Sequence, residues 1–285
     1  MTFNEWRQSS QLDFTEANII IKQATGYSSA HLIIKLHETI PNFYLDRLNE
    51  LKNRRLQGEP IAYILGTQEF YSRSFVTTPD VLIPRPETEH LIDYILQNFD
   101  ASKQLNVWDM GTGSGIIAIT LKLERPNWEI FASDISEVAI KIAQENSHLL
   151  GAEVIFGLGS WFNLDPNFTE NTFDIIVSNP PYIKKDDYHL TQGDLRFEPQ
   201  VALTDFNDGL SAFRILAKEA IHFLNPHGYL CLEHGYDQAK AVQNILENHL
   251  FQDIKTYKDY ANNDRITIAR RNKYLETKQI GSTLQ

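Results

Sequence analysis

From Asn4 to about Leu65, apolar residues recur at the spacing of one helix face: Ile19, Ile20 and Ala24, then Leu32, Ile33, Leu36 and Ile40. Gly26 and the pair Ser28-Ser29 separate two such segments, a stop followed by caps. A third helix is expected from about Asn42 through Tyr44, Leu48 and Leu51. It ends in the cations of Lys52-Asn-Arg-Arg55, which suit the negative end of the helix dipole, and in the exit residue Gly58. Between Glu69 and Ile83 the pattern changes to β-branched and aromatic residues among turn formers (Phe70, Tyr71, Phe75, Val76), which predicts a hairpin-like connector. Pro84-Arg-Pro-Glu87 then opens a helix that buries Leu91, Ile92, Ile95 and Leu96.

Beyond that helix, short apolar runs alternate with helical patterns. Strands are expected at 105–110, 129–134, 154–156, 173–178 and 228–233, and helices at 116–123, 137–149, 210–224 and 238–248. A last pair, 254–257 and 265–269, is joined by Asn262-Asn-Asp264 and reads as an antiparallel hairpin at one edge. The alternation predicts an α/β, Rossmann-like fold: a mostly parallel seven-stranded sheet with helices on both faces. The expected organisation is a small all-helical domain at 1–68, a β-hairpin connector at 69–83, a catalytic domain at 84–272 and a polar tail at 273–285.

Composition restricts the partners. The formal net charge of −11 argues against general nucleic-acid binding, because neutralising phosphates requires clustered Lys and Arg. Cys231 is the single cysteine and lies in an apolar run, as a small buried hydrophobe in a reducing compartment would. The start of the chain lacks a basic-then-apolar leader, and no apolar run approaches the roughly 20 residues that span a bilayer. A cytoplasmic protein without membrane or direct nucleic-acid contacts is expected, and nothing calls for an obligate dimer, so a monomer is expected. No metal is called for.

Two segments carry chemistry. Asp109-Met-Gly-Thr-Gly-Ser-Gly115 joins an apolar strand to an apolar helix, and Asp134 closes the next strand. Glycines allow a tight turn and close approach of backbone to ligand, and an acidic residue at that strand end accepts from ribose hydroxyls. Gly111, Thr112, Gly113, Ser114, Gly115 and Asp134 therefore predict a nucleoside cofactor. The third glycine comes one residue sooner than in dinucleotide loops, and Asp109 suits a cationic amino-acid end. S-adenosyl-L-methionine is thus preferred over NAD.

The second segment is Asn179-Pro180-Pro181-Tyr182, at the carboxyl end of the strand 173–178, where open α/β sheets bind ligands. The Asn179 side-chain oxygen and the Pro180 carbonyl offer two acceptors for one NH2 group, and Tyr182 offers an aromatic face. A planar amide or ring-amino nitrogen is a weak nucleophile. Two acceptors on its protons return electron density to nitrogen and aim it. Methyl transfer to such a nitrogen is the expected reaction, with Asn179, Pro180 and Tyr182 as catalytic residues and the whole tetrad binding substrate.

These residues resemble the HemK/PrmC family of protein-(glutamine-N5) methyltransferases. The likeness runs from Gly58 to about Arg270. It includes Gly58-Glu-Pro-Ile-Ala-Tyr-Ile-Leu-Gly66, Leu82-Ile-Pro-Arg-Pro-Glu-Thr-Glu89, the glycine loop, the tetrad and Arg196-Phe-Glu-Pro199. The resemblance implies a class I S-adenosylmethionine-dependent methyltransferase fold. It also implies cofactor contacts from 111–115, Asp134 and Asn179, and Trp161 over the adenine. The implied substrate is the glutamine of the Gly-Gly-Gln motif in class I peptide chain release factors. The tetrad alone also suits a ribosomal-protein glutamine methyltransferase or a DNA or RNA adenine-N6 methyltransferase. A non-catalytic cofactor-binding adaptor would not need it.

Overall fold

The computed structural model describes residues 1–164 and 172–272; the polar tail expected at 273–285 lies outside them. The chain forms two compact units. One is Met1–Thr67 together with Thr191–Phe197, and the other holds Gln68–Leu190 and the residues from Glu198 on.

The first unit contains α1 (Phe3–Ser9), α2 (Phe14–Thr25), α3 (Ser29–Lys35), α4 (Asn42–Leu56) and α5 (Ile61–Leu65). Its helix ends are written locally. Thr2 and Glu5 form a capping box on α1, Asp13 accepts from the N–H groups of Thr15 and Glu16, and Ser28 accepts from His31. Each such cap contributes about 1 kcal/mol. Gly26, at φ 73°, ends α2 in the left-handed conformation.

Phe3, Trp6, Ile20, Ile21, Leu32, Leu48 and Leu51 share one core. Ile33, placed on the buried face by its spacing, is 70% exposed. The reason is that α3 stops at Lys35, so Leu32, Leu36 and Ile40 do not belong to one helical row. In the last turn of α4, Arg55 pairs with Glu16 at 2.7 Å and with Asp194 at 3.3 Å, and Arg196 donates to the Gln57 carbonyl at 3.0 Å. These bonds tie the 3-10 turn Gly193–Phe197 to the helices, a long-range pairing invisible to hydrophobic periodicity.

The second unit opens with the hairpin β1 (Thr67–Phe70) and β2 (Arg73–Val76). Its turn residues Tyr71 and Ser72 take φ of 49° and 58°, the positive values that a tight two-residue hairpin turn needs. A 3-10 turn, Pro86–Thr88, leads into α6 (Glu89–Asn98). Then come β3 (Asn106–Met110), α7 (Ile116–Glu124), β4 (Glu129–Asp134), α8 (Glu137–Leu150), β5 (Ile155–Leu158) and β6 (Phe173–Ser178). The remainder is α9 (Gln200–Leu203), α10 (Ser211–Phe223), β7 (Leu224–Glu233), α11 (Ala239–Asn248), β8 (Phe251–Lys258) and β9 (Asp264–Arg271).

Seven strands form one sheet in the order β5-β4-β3-β6-β7-β9-β8, parallel from β5 to β7, with β9 antiparallel to both of its neighbours. Successive side chains of β3 point to opposite faces. Val107 joins Leu91, Ile92, Ile117 and Leu121 on one face, while Trp108 and Met110 join Phe173, Phe213 and Leu216 on the other. This burial on both faces is why the strands read as near-continuous apolar runs.

The strand order reverses between β3 and β6, which makes the crevice at their carboxyl ends the expected ligand site. Met110 is in register with Ser133 and with Ser178, and Ser178 with Leu232. The next residue of each strand or loop brings Gly111, Asp134, Asn179 and Glu233 to one edge of the sheet.

Candidate cofactor and amide site

At that edge lies a cavity of about 810 Å³, within the size range of small-molecule sites. Its walls include Gly111, Thr112, Gly113 and Ser114, then Asp134, Trp161, Asn179 and Pro181. Gly111 and Gly113 have positive φ (74° and 56°), and a Cβ on either would meet nothing within 4 Å. The loop thus presents bare backbone to open space.

Gly115 plays a different part. It is absent from the cavity wall, and a Cβ there would sit 2.7 Å from Ile119 Cδ1 and 3.2 Å from the Ala143 Cβ. Its φ of 88° and that tight fit let α7 pack against α8.

Asp134 is held by two backbone donors: Gly113 N–H to Oδ2 and Ser136 N–H to Oδ1, both at 2.9 Å. Each oxygen keeps a lone pair for a further donor. Burial raises the Asp134 carboxyl above its usual range, against the lowering pull of those N–H groups.

Asp109 is turned away from the cavity wall. Its Oδ2 accepts from Thr112 Oγ1 at 2.6 Å and from Ala118 N–H at 3.2 Å, and its fully buried Oδ1 has no partner. Burial pushes this carboxyl up to about 7. It shapes the loop and does not line the space expected for a cationic ligand end.

Trp161 adopts φ 51°, lines the cavity and packs its apolar body against the core around Trp108. In the tetrad, Asn179 and Pro181 face the cavity, whereas Pro180 is buried and Tyr182 lies outside the lining. The Tyr182 carbonyl accepts from Gln238 Nε2 at 2.9 Å. Burial, with the Glu233 charge adding to it, raises the Tyr182 phenol.

Four further residues, two of them inside the motifs, stand around this site. Thr88 Oγ1 accepts from Asn179 Nδ2 at 3.2 Å. Glu198 is buried and pairs with Arg85. Asn146, fully buried on α8, joins the connector to the glycine loop: its Oδ1 accepts from Val76 N–H at 2.7 Å and its Nδ2 donates to the Ser114 carbonyl at 2.9 Å. Glu233 is buried at the end of β7, and burial raises its carboxyl to about 7. Thr88 and Arg85 stand in the Pro-Arg-Pro-Glu-Thr-Glu motif, so the motif's specificity held the signal, though not the geometry.

Comparison with known proteins shows the family. The family model described as methyltransferase small domain matches residues 89–194, and that described as PrmC N-terminal domain matches 7–66. A release factor glutamine methyltransferase of Neisseria gonorrhoeae is 48% identical, over 97% of this chain and 100% of the relative. The chain belongs to the release factor glutamine methyltransferase family. Another relative of that name, from Burkholderia pseudomallei, is 42% identical over 94% of this chain and 96% of its own. A crystal structure of a methyltransferase from Pyrococcus furiosus aligns at TM-score 0.49 and 21% identity, covering 78% of this chain and 98% of that one. The family expected from the motifs is therefore the family found, and β3 to β6 lie within the residues that the methyltransferase model matches. Among the described residues no helix is long and apolar enough to cross a membrane.

Proposed function

We propose that the protein methylates the side-chain amide nitrogen of the glutamine in the Gly-Gly-Gln motif of class I peptide chain release factors, with S-adenosyl-L-methionine as methyl donor. The observation that carries this reading is Asn179. Its Nδ2 is committed to Thr88, so its Oδ1 is left to accept, at the wall of the cavity that holds the glycine loop. The residues fit the cofactor: bare backbone at Gly111 and Gly113 cradles it, Asp134 has lone pairs for two ribose hydroxyls, and Trp161 offers a face to the adenine.

S-adenosyl-L-methionine supplies an electrophilic sulfonium methyl whose departure as a thioether requires no acid. The protein's own part is positioning. Asn179 Oδ1 and the Pro180 carbonyl accept the two amide protons, which raises electron density on a nitrogen otherwise delocalised into its carbonyl and points it at the cofactor. Pro180 and Pro181 lack N–H groups, so the segment is free of the strand ladder beyond β6. Tyr182 lies outside the cavity lining, so its part in this reading is to pack behind the amide-binding segment. The raised phenol stays protonated at neutral pH, which suits a packing role over a basic one. The substrate is a translation factor, which puts the protein's work in the cytoplasm.

The test is label transfer from methyl-labelled S-adenosyl-L-methionine to a release factor, a ribosomal protein and DNA in parallel. Label on the release factor, lost when its Gly-Gly-Gln glutamine is replaced, supports the reading. Label on DNA or ribosomal protein alone refutes it.

A further inference from the structure

Asn179 carries the methyl-acceptor role only if its amide is turned one way round. A flipped amide would present Nδ2, two donors, to a substrate nitrogen that itself carries only donors. The geometry offers a device that fixes this choice.

Thr88 is fully buried, and its Oγ1 lies 3.2 Å from Asn179 Nδ2. A hydroxyl can accept and donate at once, so Thr88 could equally donate its proton to a flipped Asn179 Oδ1. What decides is where the Thr88 proton goes. Glu233 stands beside Asn179 at the sheet edge, since Ser178 and Leu232, their predecessors, are in register. The hydroxyls of Thr88 and Tyr182 lie near its carboxyl and favour its charged form, and its buried Oε2 makes no hydrogen bond. Arg265 from β9 acts on the same carboxyl as an opposite charge, and Glu87 as a like charge. The ionised Glu233 carboxyl, the prevailing form above about pH 7, is a stronger acceptor for a hydroxyl proton than a neutral amide oxygen.

We propose that Thr88 and Glu233 are positioning residues of the methyl-transfer site: Glu233 accepts a hydrogen bond from the Thr88 hydroxyl, which turns the Thr88 lone pair toward Asn179 Nδ2 and keeps Asn179 Oδ1 facing the substrate amide. The relay also accounts for why Pro-Arg-Pro-Glu-Thr-Glu accompanies the tetrad in this chain: the motif delivers a hydroxyl to the back of Asn179. Neither residue lines the cavity. The inference rests on glutamine methylation as the reaction.

The experiment compares Thr88→Val, Thr88→Ser and Glu233→Gln with wild type on a release factor substrate. It measures kcat, KM for the protein, the Kd of S-adenosyl-L-methionine by calorimetry, and Tm. Thr88→Val keeps the shape and removes the acceptor. Its kcat is expected to fall about tenfold, the effect of one oriented hydrogen bond, equal to about 1.4 kcal/mol of barrier. Its KM and cofactor Kd should stay within about threefold. Thr88→Ser restores the hydroxyl and should recover most of the lost kcat. Glu233→Gln offers donors as well as an acceptor to Thr88, so its kcat should fall while cofactor Kd holds.

The relay is overturned if Thr88→Val and Glu233→Gln keep wild-type kcat, or if Thr88→Ser is as slow as Thr88→Val. It is also overturned if cofactor Kd weakens in step with kcat, which marks a structural role. Absence of wild-type activity on any release factor is a different outcome, because it removes the proposed reaction itself.

Discussion

Arg85 pairs its guanidinium with the carboxylate of Glu198, a fully buried side chain whose other oxygen accepts the Ile83 N–H at 3.0 Å. Two sequence motifs more than a hundred positions apart, Pro-Arg-Pro-Glu-Thr-Glu and Arg-Phe-Glu-Pro, thus form one joint. Removing the cation leaves a buried anion with a lost partner, so Arg85→Met is expected to destabilise by about 2–4 kcal/mol in urea unfolding, less than a fully buried pair because Arg85 is partly exposed. Glu198→Gln should cost clearly less, since its amide oxygen still accepts from Ile83. Equal losses would show that the uncompensated buried charge is not what makes Arg85→Met costly.

The amide-positioning role predicts a separation between turnover and cofactor affinity. Asn179→Ala should lower kcat by about 10²-fold or more, the scale for removing one preorganised group at a reacting centre. Cofactor Kd should weaken by less than about tenfold, because the glycine loop and Asp134 remain. Single-turnover rates and calorimetry read the two independently.

Glycine loop positions should respond differently to the same change. Gly115→Ala forces a Cβ to 2.7 Å from Ile119 at φ 88°, so a loss of about 1–3 kcal/mol and a Tm lower by several degrees are expected. Gly111→Ala meets open space and carries only the backbone strain of φ 74°, so it should lower Tm less. Its added methyl protrudes into the cavity, so cofactor binding should suffer more than for Gly115→Ala.

Asp109 gives a pH signature. Its carboxyl is raised by burial from 3.8 to about 7, so the folded state holds a proton that the unfolded chain has released. Stability from this group is therefore present in full below about pH 4 and is lost as pH rises toward about 7, at up to about 1.4 kcal/mol per pH unit. Asp109→Asn should flatten the slope of unfolding free energy between pH 4 and pH 7 relative to wild type, in protein free of cofactor. An unchanged slope would mean that Asp109 titrates normally.

The sheet was legible because its strands carry their own signal. Runs such as Phe173-Asp-Ile-Ile-Val-Ser178 are buried on both faces, and the sequence boundaries of β4 and β6 coincide with the observed ones. The glycine loop and Asp134 were equally readable, since strand, turn and helix signals coincide there. What stayed hidden depends on long-range pairing. Thr191–Phe197 carries no periodic pattern, and its place with the helices follows from Arg55 and Arg196. The places of Thr88, Asn146 and Glu233 beside the site could not be read locally, since the neighbours of each are distant in sequence. Ile33 is exposed despite its helical spacing, because that spacing runs past the end of α3.

The most direct measurement is fragment-resolved mass spectrometry of a release factor incubated with the protein and S-adenosyl-L-methionine. One added methyl group is expected, on the side-chain amide nitrogen of the Gly-Gly-Gln glutamine, and none with Asn179→Ala. A methyl group on another residue of the release factor, or modification that survives Asn179→Ala undiminished, would contradict it.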